Sequence, residues 1–163
     1  MVLDAPVNIV VGGRLAGKTR LAVEWAKTRG LPVVAIAPPR LYELALLKTL
    51  KDHNIHPIKG SETSFRGLGE FSLIVDECDY LLYRQINTVF TNMRWAKYVL
   101  FTGTLRRQRR VSLLRHMIGF ARRKFFPVVI LPSAWGVPWK ELERLRMNMN
   151  ATLYKQEWGG SWD

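Results

Sequence analysis

The fold is decided by the residues between Val7 and Thr19, which read VNIVVGGRLAGKT. An apolar run typical of a buried strand leads directly into a glycine-rich turn that ends in Lys18 and Thr19, the Walker A pattern. A strand, turn and helix in this order aim backbone N–H groups and a helix N-terminus at one point, which suits phosphate. We therefore predict that this loop binds a nucleoside triphosphate.

The predicted roles within the loop follow from side-chain chemistry. Lys18 can reach the β- and γ-phosphates, and the Thr19 hydroxyl can hold Mg²⁺. ATP and Mg²⁺ are the expected ligands. The predicted nucleotide contacts are Gly12, Gly13, Arg14, Leu15, Ala16, Gly17, Lys18, Thr19 and Arg20.

Residues 73–77, LIVDE, form a second apolar strand that ends in two acids, which is the Walker B arrangement. Asp76 is predicted to hold Mg²⁺ through its water shell, and Glu77 to orient and polarise the attacking water. Two acids at this position could instead cap a helix. The hydrophobic strand before them and the Walker A loop upstream favour the catalytic interpretation.

A third strand is predicted to end at Thr102-Gly103-Thr104. In a RecA-like sheet such a turn lies beside the γ-phosphate, so Thr102 and Thr104 are predicted to sense the nucleotide. A run of arginines follows immediately, over residues 105–110. This order indicates a link between hydrolysis and contact with a polyanion.

The positive charge is confined to one stretch of the chain. The net charge is +12, and residues 80–140 contain twelve Arg and Lys residues but no Asp or Glu. A surface of one sign attracts polyanions, and nucleic acid is the leading candidate, with a solvated basic face as the alternative. Arginine suits phosphate because its planar fork donates two hydrogen bonds at once. The candidate DNA contacts are Arg106, Arg107, Arg109, Arg110, Arg122, Arg123 and Lys124.

The pattern of strands and helices predicts an α/β fold, with a mainly parallel sheet flanked by helices on both faces. The motifs described above resemble those of RecA-like P-loop NTPases, so the expected fold is RecA-like. Strands are predicted at 7–11, 32–37, 72–75, 98–101 and 126–131. Helices are predicted at 18–29, 41–53, 85–95, 109–121 and 138–147. Residues 1–132 are expected to form the ATPase core, and residues 133–163 a C-terminal helical or linker segment that packs on it.

The chain is expected to be a soluble cytoplasmic protein, in the host cytoplasm if it is viral. No signal peptide or membrane span is recognisable among its 163 residues. The one cysteine, Cys78, excludes an internal disulfide and fits a reducing compartment. We expect it to be a small buried residue rather than a nucleophile.

Taken in order, these motifs resemble the ATPase domain of phage terminase large subunits, the motors that package DNA. The resemblance includes Arg14 in the glycine-rich loop, the segment 65–68 (FRGL) before the acidic strand, and the Thr102-Gly103-Thr104 turn. It continues in the tail, at residues 137–145 and 154–158 (YKQEW). Compared with the family, we expect this chain to lack the adenine-contacting element before the glycine-rich loop and the C-terminal nuclease domain.

The resemblance implies an ATP-driven motor subunit that moves double-stranded DNA into a procapsid. It implies that Glu77 is the catalytic carboxylate, assisted by Lys18, and that Arg14 acts as an arginine finger in cis. It also implies that Arg66 reaches the ATP of a neighbouring subunit, which requires a homo-oligomeric, pentamer-like ring. The portal, the procapsid and a small terminase-like protein would be further partners, with no membrane involved.

Two other functions remain open at this point. Residues 76–79 (DECD) and 37–40 (APPR) resemble motifs in the first RecA-like lobe of superfamily-2 helicases. A morphogenesis protein that binds ATP without turnover is the third possibility. ATPase assays with and without DNA distinguish these alternatives.

Overall fold

The computed structural model describes residues 3–13, 16–60, 69–104 and 112–131. Within them there are six β-strands, four α-helices and one 3₁₀ turn, Cys78–Tyr80. The strands are β1 (Val7–Gly12), β2 (Val33–Ile36), β3 (Ile58–Lys59), β4 (Ser72–Val75), β5 (Tyr98–Gly103) and β6 (Val128–Leu131). The helices are α1 (Lys18–Arg29), α2 (Leu41–Asp52), α3 (Tyr83–Met93) and α4 (Leu113–Arg123). The segment 133–163, with its predicted helix at 138–147, lies outside the described residues.

The six strands form one sheet in the order β3-β2-β4-β5-β1-β6, and every neighbouring pair is parallel. Strand β5 therefore separates β1, which leads into the glycine-rich loop, from β4, which leads into the two acids. In the register, Val11 lies opposite Gly103, and Val75 lies opposite Phe101. The carboxyl ends of β1, β5 and β4 thus meet at one edge of the sheet.

Helices cover both faces of the sheet. Alternate strand residues such as Ile9 and Phe101 pack in one core cluster with buried residues of α3 and α4. The residues between them, such as Val10 and Leu100, pack in a second cluster with α1 and α2. Burial on both faces explains why the strands are apolar throughout rather than alternating. The predicted RecA-like α/β fold is confirmed.

Several predicted boundaries were wrong. Helix α3 begins two residues before the predicted start at 85, because the Gln85 side-chain oxygen accepts the Leu82 N–H at 2.9 Å. Helix α4 begins at Leu113 rather than at 109, because the Ser112 hydroxyl caps it by accepting the Arg115 N–H at 3.1 Å. The two-residue strand β3 was not predicted, since so short a segment has no readable periodicity.

The central strand β5 should contribute more to stability than the edge strand β6. Leu100 in β5 is 0% exposed, whereas Ile130 in β6 is 47% exposed. We expect Leu100→Ala to lower the free energy of unfolding by about 2–5 kcal/mol, because it leaves a cavity in the core. Ile130→Ala, the control, should cost less than about 1 kcal/mol. Urea unfolding checks both values, and equal losses would contradict the described packing.

Candidate active site

The glycine-rich loop connects the end of β1 to the start of α1, and its backbone geometry requires two of its glycines. Gly17, at the N-cap of α1, has a left-handed φ of 82°, which glycine adopts without steric cost. A Cβ atom built on Gly12 would lie 3.0 Å from the Ala16 Cβ and 3.2 Å from the Leu131 carbonyl oxygen. Arg14 and Leu15 lie outside the described residues.

Lys18 is the residue around which the site is assembled. Its side chain is only 5% exposed, and its ammonium group donates to the carbonyl oxygens of Gly12 at 3.0 Å and Gly13 at 2.8 Å. The same group lies 3.1 Å from the Thr104 hydroxyl and 3.0 Å from the Glu77 Oε1 atom. One buried cation therefore joins the loop after β1 to the segments that follow β4 and β5.

Asp76 lies beside this cation and is itself buried. Its Oδ2 atom accepts a hydrogen bond from the Thr19 hydroxyl at 2.9 Å, and its Oδ1 atom accepts one from the Thr102 hydroxyl. The Thr102 oxygen in turn accepts the Glu77 N–H at 3.1 Å, and the Thr104 hydroxyl donates to Glu77 Oε2 at 3.4 Å. The structure thus brings together the predicted residues of all three strand ends.

The electrostatics of Asp76 differ from those of a surface carboxylate. Burial raises the pKa of Asp76, and the charge of Glu77 adds to this rise. Hydrogen bonds from Thr102 and Thr19 and the charge of Lys18 act in the opposite direction. The net result is a raised pKa, because burial disfavours the charged form of Asp76 more than these contacts favour it.

Cys78, directly after the two acids, is buried. Burial, and then the neighbouring carboxylates, raise the pKa of its thiol well above the usual value. A thiol in this state is a poor nucleophile. The prediction of a small buried residue is confirmed.

Glu77 adopts an unusual backbone conformation, with φ 46° and ψ 52° in the left-handed region. For a residue with a side chain, this conformation costs about 1–3 kcal/mol and persists only when neighbouring contacts impose it. Here the contacts are the hydrogen bond from the Glu77 N–H to Thr102 and the ion pair with Lys18. The sequence carried no signal for this feature.

The donor atoms of the site fit the predicted Mg²⁺. The Thr19 hydroxyl and the Asp76 carboxylate are adjacent oxygen donors at the mouth of the glycine-rich loop. Mg²⁺ prefers hard oxygen ligands and commonly uses one or two carboxylates together with phosphate oxygens. The structure thus places the two predicted metal-holding residues next to each other.

The structure does not place every predicted residue at this site. Arg20 is exposed on the first turn of α1. Arg122, Arg123 and Lys124 lie at the far end of α4, about 16 Å along the helix from its start near the site. Arg66 and the cluster 106–110 lie outside the described residues.

Sequence reasoning missed one residue next to the site. Asp79 is buried, and its carboxylate accepts hydrogen bonds from the Ser112 hydroxyl at 2.7 Å and the Leu114 N–H at 2.9 Å. The available signal was an acid three positions after Asp76 together with a serine in the first turn of the helix predicted at 109–121. Only the fold brings these two signals together.

Comparison with known proteins supports the fold. No protein-family model and no curated protein matches the sequence. Among solved structures, the large terminase of a thermophilic bacteriophage is similar over 98% of this chain and 49% of that chain, with a TM-score of 0.66 at 11% identity. In fold, the chain resembles a phage large terminase. The resemblance predicted from the sequence is confirmed at this level.

A second structure of the same phage terminase, in complex with ADP, gives a TM-score of 0.64 at 13% identity, with the same coverage of both chains. The chain described here thus spans about half the length of these terminases. At such identities the likeness is one of fold. Within the described residues, no helix is both long enough and apolar enough to cross a bilayer.

Replacing the buried carboxylate should stabilise the nucleotide-free protein. Because burial raises the pKa of Asp76, the folded chain binds that proton more tightly than the unfolded chain, so this residue's contribution to stability falls as pH rises above 3.8. We expect Asp76→Asn to melt a few degrees above the parent at neutral pH, with the difference shrinking in acid. Thermal unfolding between about pH 4 and pH 8 measures this.

The control for this prediction is Asp52→Asn, which removes an exposed carboxylate at the end of α2. Its melting temperature should stay close to that of the parent. An Asp76→Asn protein that is less stable than the parent at neutral pH would contradict the role assigned to desolvation.

Proposed function

We propose that this chain is the ATPase part of a terminase-like motor that couples ATP hydrolysis to the movement of double-stranded DNA. One observation carries the proposal. Lys18, the Thr19–Asp76 pair and Glu77 converge at the carboxyl ends of β1 and β4, where a phosphate-binding loop and a water-orienting carboxylate are needed together. The fold likeness to a phage large terminase, one structure of which is in complex with ADP, supports the same proposal.

In the proposed reaction, the triphosphate lies against the glycine-rich loop and takes the Lys18 ammonium as its counterion. Glu77, no longer paired with Lys18, orients a water molecule toward the γ-phosphate and accepts its proton. Thr19 and Asp76 would hold Mg²⁺, which when bound neutralises developing negative charge on the phosphates. Thr102 positions both acids, since its oxygen bonds to Asp76 and to the Glu77 backbone.

In the proposed reaction, the ion pair between Lys18 and Glu77 makes nucleotide binding come before the activation of water. The 3.0 Å contact with Lys18 occupies Glu77, the proposed catalytic carboxylate. A triphosphate competes for Lys18 through charge and so releases Glu77 only when the substrate is in place. In this proposal, the Lys18 ammonium group pairs first with Glu77 and then with the triphosphate.

Glu77→Gln should separate binding from hydrolysis. The amide keeps the size of the side chain but accepts no proton, so we expect turnover to fall by about 10²–10⁴-fold while nucleotide affinity is retained. Phosphate release and the binding of a fluorescent ATP analogue measure the two effects. Glu70→Gln, which alters only a surface pair with Lys97, should leave both unchanged. An active Glu77→Gln protein would place the catalytic base elsewhere.

For DNA, we propose contacts from the basic cluster at the end of α4, residues 122–124, and from the arginines at 106, 107, 109 and 110. Residues 122–124 are exposed, and they lie at the end of α4 that is far from the glycine-rich loop. Cations at a helix C-terminus also interact favourably with the helix dipole, so their position alone does not demand a ligand. The absence of acids from residues 80–140 favours the polyanion.

Changing Arg122, Arg123 and Lys124 together to Gln should weaken DNA binding and its dependence on salt. Each lost phosphate contact makes the negative slope of log K against log salt less steep by about 0.9. We therefore expect the magnitude of the slope to fall by roughly 2–3. The control changes Lys27, Lys48 and Lys51 to Gln, which removes the same charge from exposed positions on the α1 and α2 side. Equal effects in both triple variants would mean that only net charge matters.

The assembly belongs to the same proposal. A homo-oligomeric ring would let Arg66 reach the ATP of a neighbouring subunit, while Arg14 would act within its own loop. The portal, the procapsid and a small terminase-like protein would be the partners, in the cytoplasm of the host cell. Sedimentation with ATP and DNA, comparing the parent with Arg66→Ala, tests the ring separately from hydrolysis.

A further inference from the structure

We propose that Asp79 is a positioning residue through which the nucleotide site controls the start of helix α4. The inference rests on the proposed function, because it requires that the site binds a nucleotide. It goes beyond that function by naming the contact that passes the state of the site to a basic helix.

Asp79 forms two hydrogen bonds with the start of helix α4. Asp79 is 7% exposed, and both of its carboxylate oxygens are used by residues at the start of α4. Oδ2 accepts from the Ser112 hydroxyl at 2.7 Å, and Oδ1 accepts from the Leu114 N–H at 2.9 Å. Ser112 accepts in turn from the Arg115 N–H at 3.1 Å. Two otherwise unpaired N–H groups of the helix are thus satisfied by Asp79 and by the serine it holds.

A single short turn connects Asp79 to Glu77, the proposed catalytic carboxylate. Asp79 lies in the 3₁₀ turn Cys78–Tyr80, which directly follows Glu77. The turn is closed by a hydrogen bond from the Tyr80 N–H to the Glu77 carbonyl oxygen at 3.0 Å, and Cys78 within it is buried. A single closed turn in a packed interior has little freedom to absorb a displacement. Movement at Glu77 is therefore passed to Asp79.

Leu114, at the start of α4, also packs closely against Gly103 at the end of β5. Leu114 is fully buried, and a Cβ atom built on Gly103 would lie only 2.7 Å from the Leu114 Cδ2 atom. Gly103 lies between Thr102 and Thr104, which bond to the two acids of the site. Leu114 is therefore held through its N–H by the segment after β4 and through its side chain by the end of β5.

These contacts predict how α4 responds to nucleotide. Glu77 is held in a left-handed conformation while it pairs with Lys18. Loss of that pair to a triphosphate lets the backbone at Glu77 relax, which shifts Asp79 and the first turn of α4. Helix α4 carries Arg115 in this turn and the basic cluster 122–124 at its other end. A cap with a purely structural role would hold α4 equally with and without nucleotide.

Hydrogen–deuterium exchange of the amides at 113–116 tests the inference in the full chain. We expect Mg²⁺ with a non-hydrolysable ATP analogue to change their exchange rate by about fivefold or more in the parent. In Asp79→Asn, which keeps the side-chain volume, this nucleotide-dependent change should disappear. Nucleotide affinity and turnover without DNA should stay within about threefold of the parent.

The controls separate this inference from the proposed function. Ser112→Ala keeps the Asp79–Leu114 bond and should retain part of the response, and it carries the test if Asp79→Asn does not fold. Asp52→Asn should respond as the parent does. A parent that binds nucleotide without a change at 113–116, or an Asp79→Asn protein that responds fully, overturns the inference alone. A parent that binds no nucleotide overturns the proposed function as well.

Discussion

The organisation of the site depends on the burial of one ammonium group. A buried cation is tolerated only when oxygen atoms surround it, and Lys18 obtains them from its own loop, from Glu77 and from Thr104. These groups follow three different strands. The parallel order that places β5 between β1 and β4 is what brings their carboxyl ends within reach of one side chain. The fold and the chemistry of the site are therefore consequences of the same arrangement.

The site also retains features that work against stability. Asp76 is a carboxylate in a buried position that raises its pKa, and Glu77 holds a backbone conformation that residues with side chains disfavour. Neither feature improves packing. Both place an acidic oxygen where a triphosphate, a metal ion and a water molecule would meet, and the surrounding hydroxyls of Thr19, Thr102 and Thr104 hold them there. Such a cost is typical of functional sites.

Helix α4 relates the site to the charge distribution of the chain. Its first turn is bonded to Asp79, close to Glu77, and its last turn carries arginines at the opposite edge of the sheet. In the function we propose, a change at the phosphate end would move a basic surface without any contact between nucleotide and DNA. In that proposal, the basic residues of α4, in a chain whose net charge is +12, would attract the polyanion.

The sequence by itself determined the local elements of this protein. The span of α1, the span of β4 and the loop between β1 and α1 follow from residues within a few positions of one another, since apolar periodicity and glycine chemistry are local. The predicted α/β class followed from the same patterns. The tertiary structure decided the strand order, the pairing of Lys18 with Glu77, the left-handed Glu77 and the hydrogen bond from Ser112 to Asp79. These features join residues far apart in the chain, and their contacts depend on register and crossover geometry that no local pattern encodes.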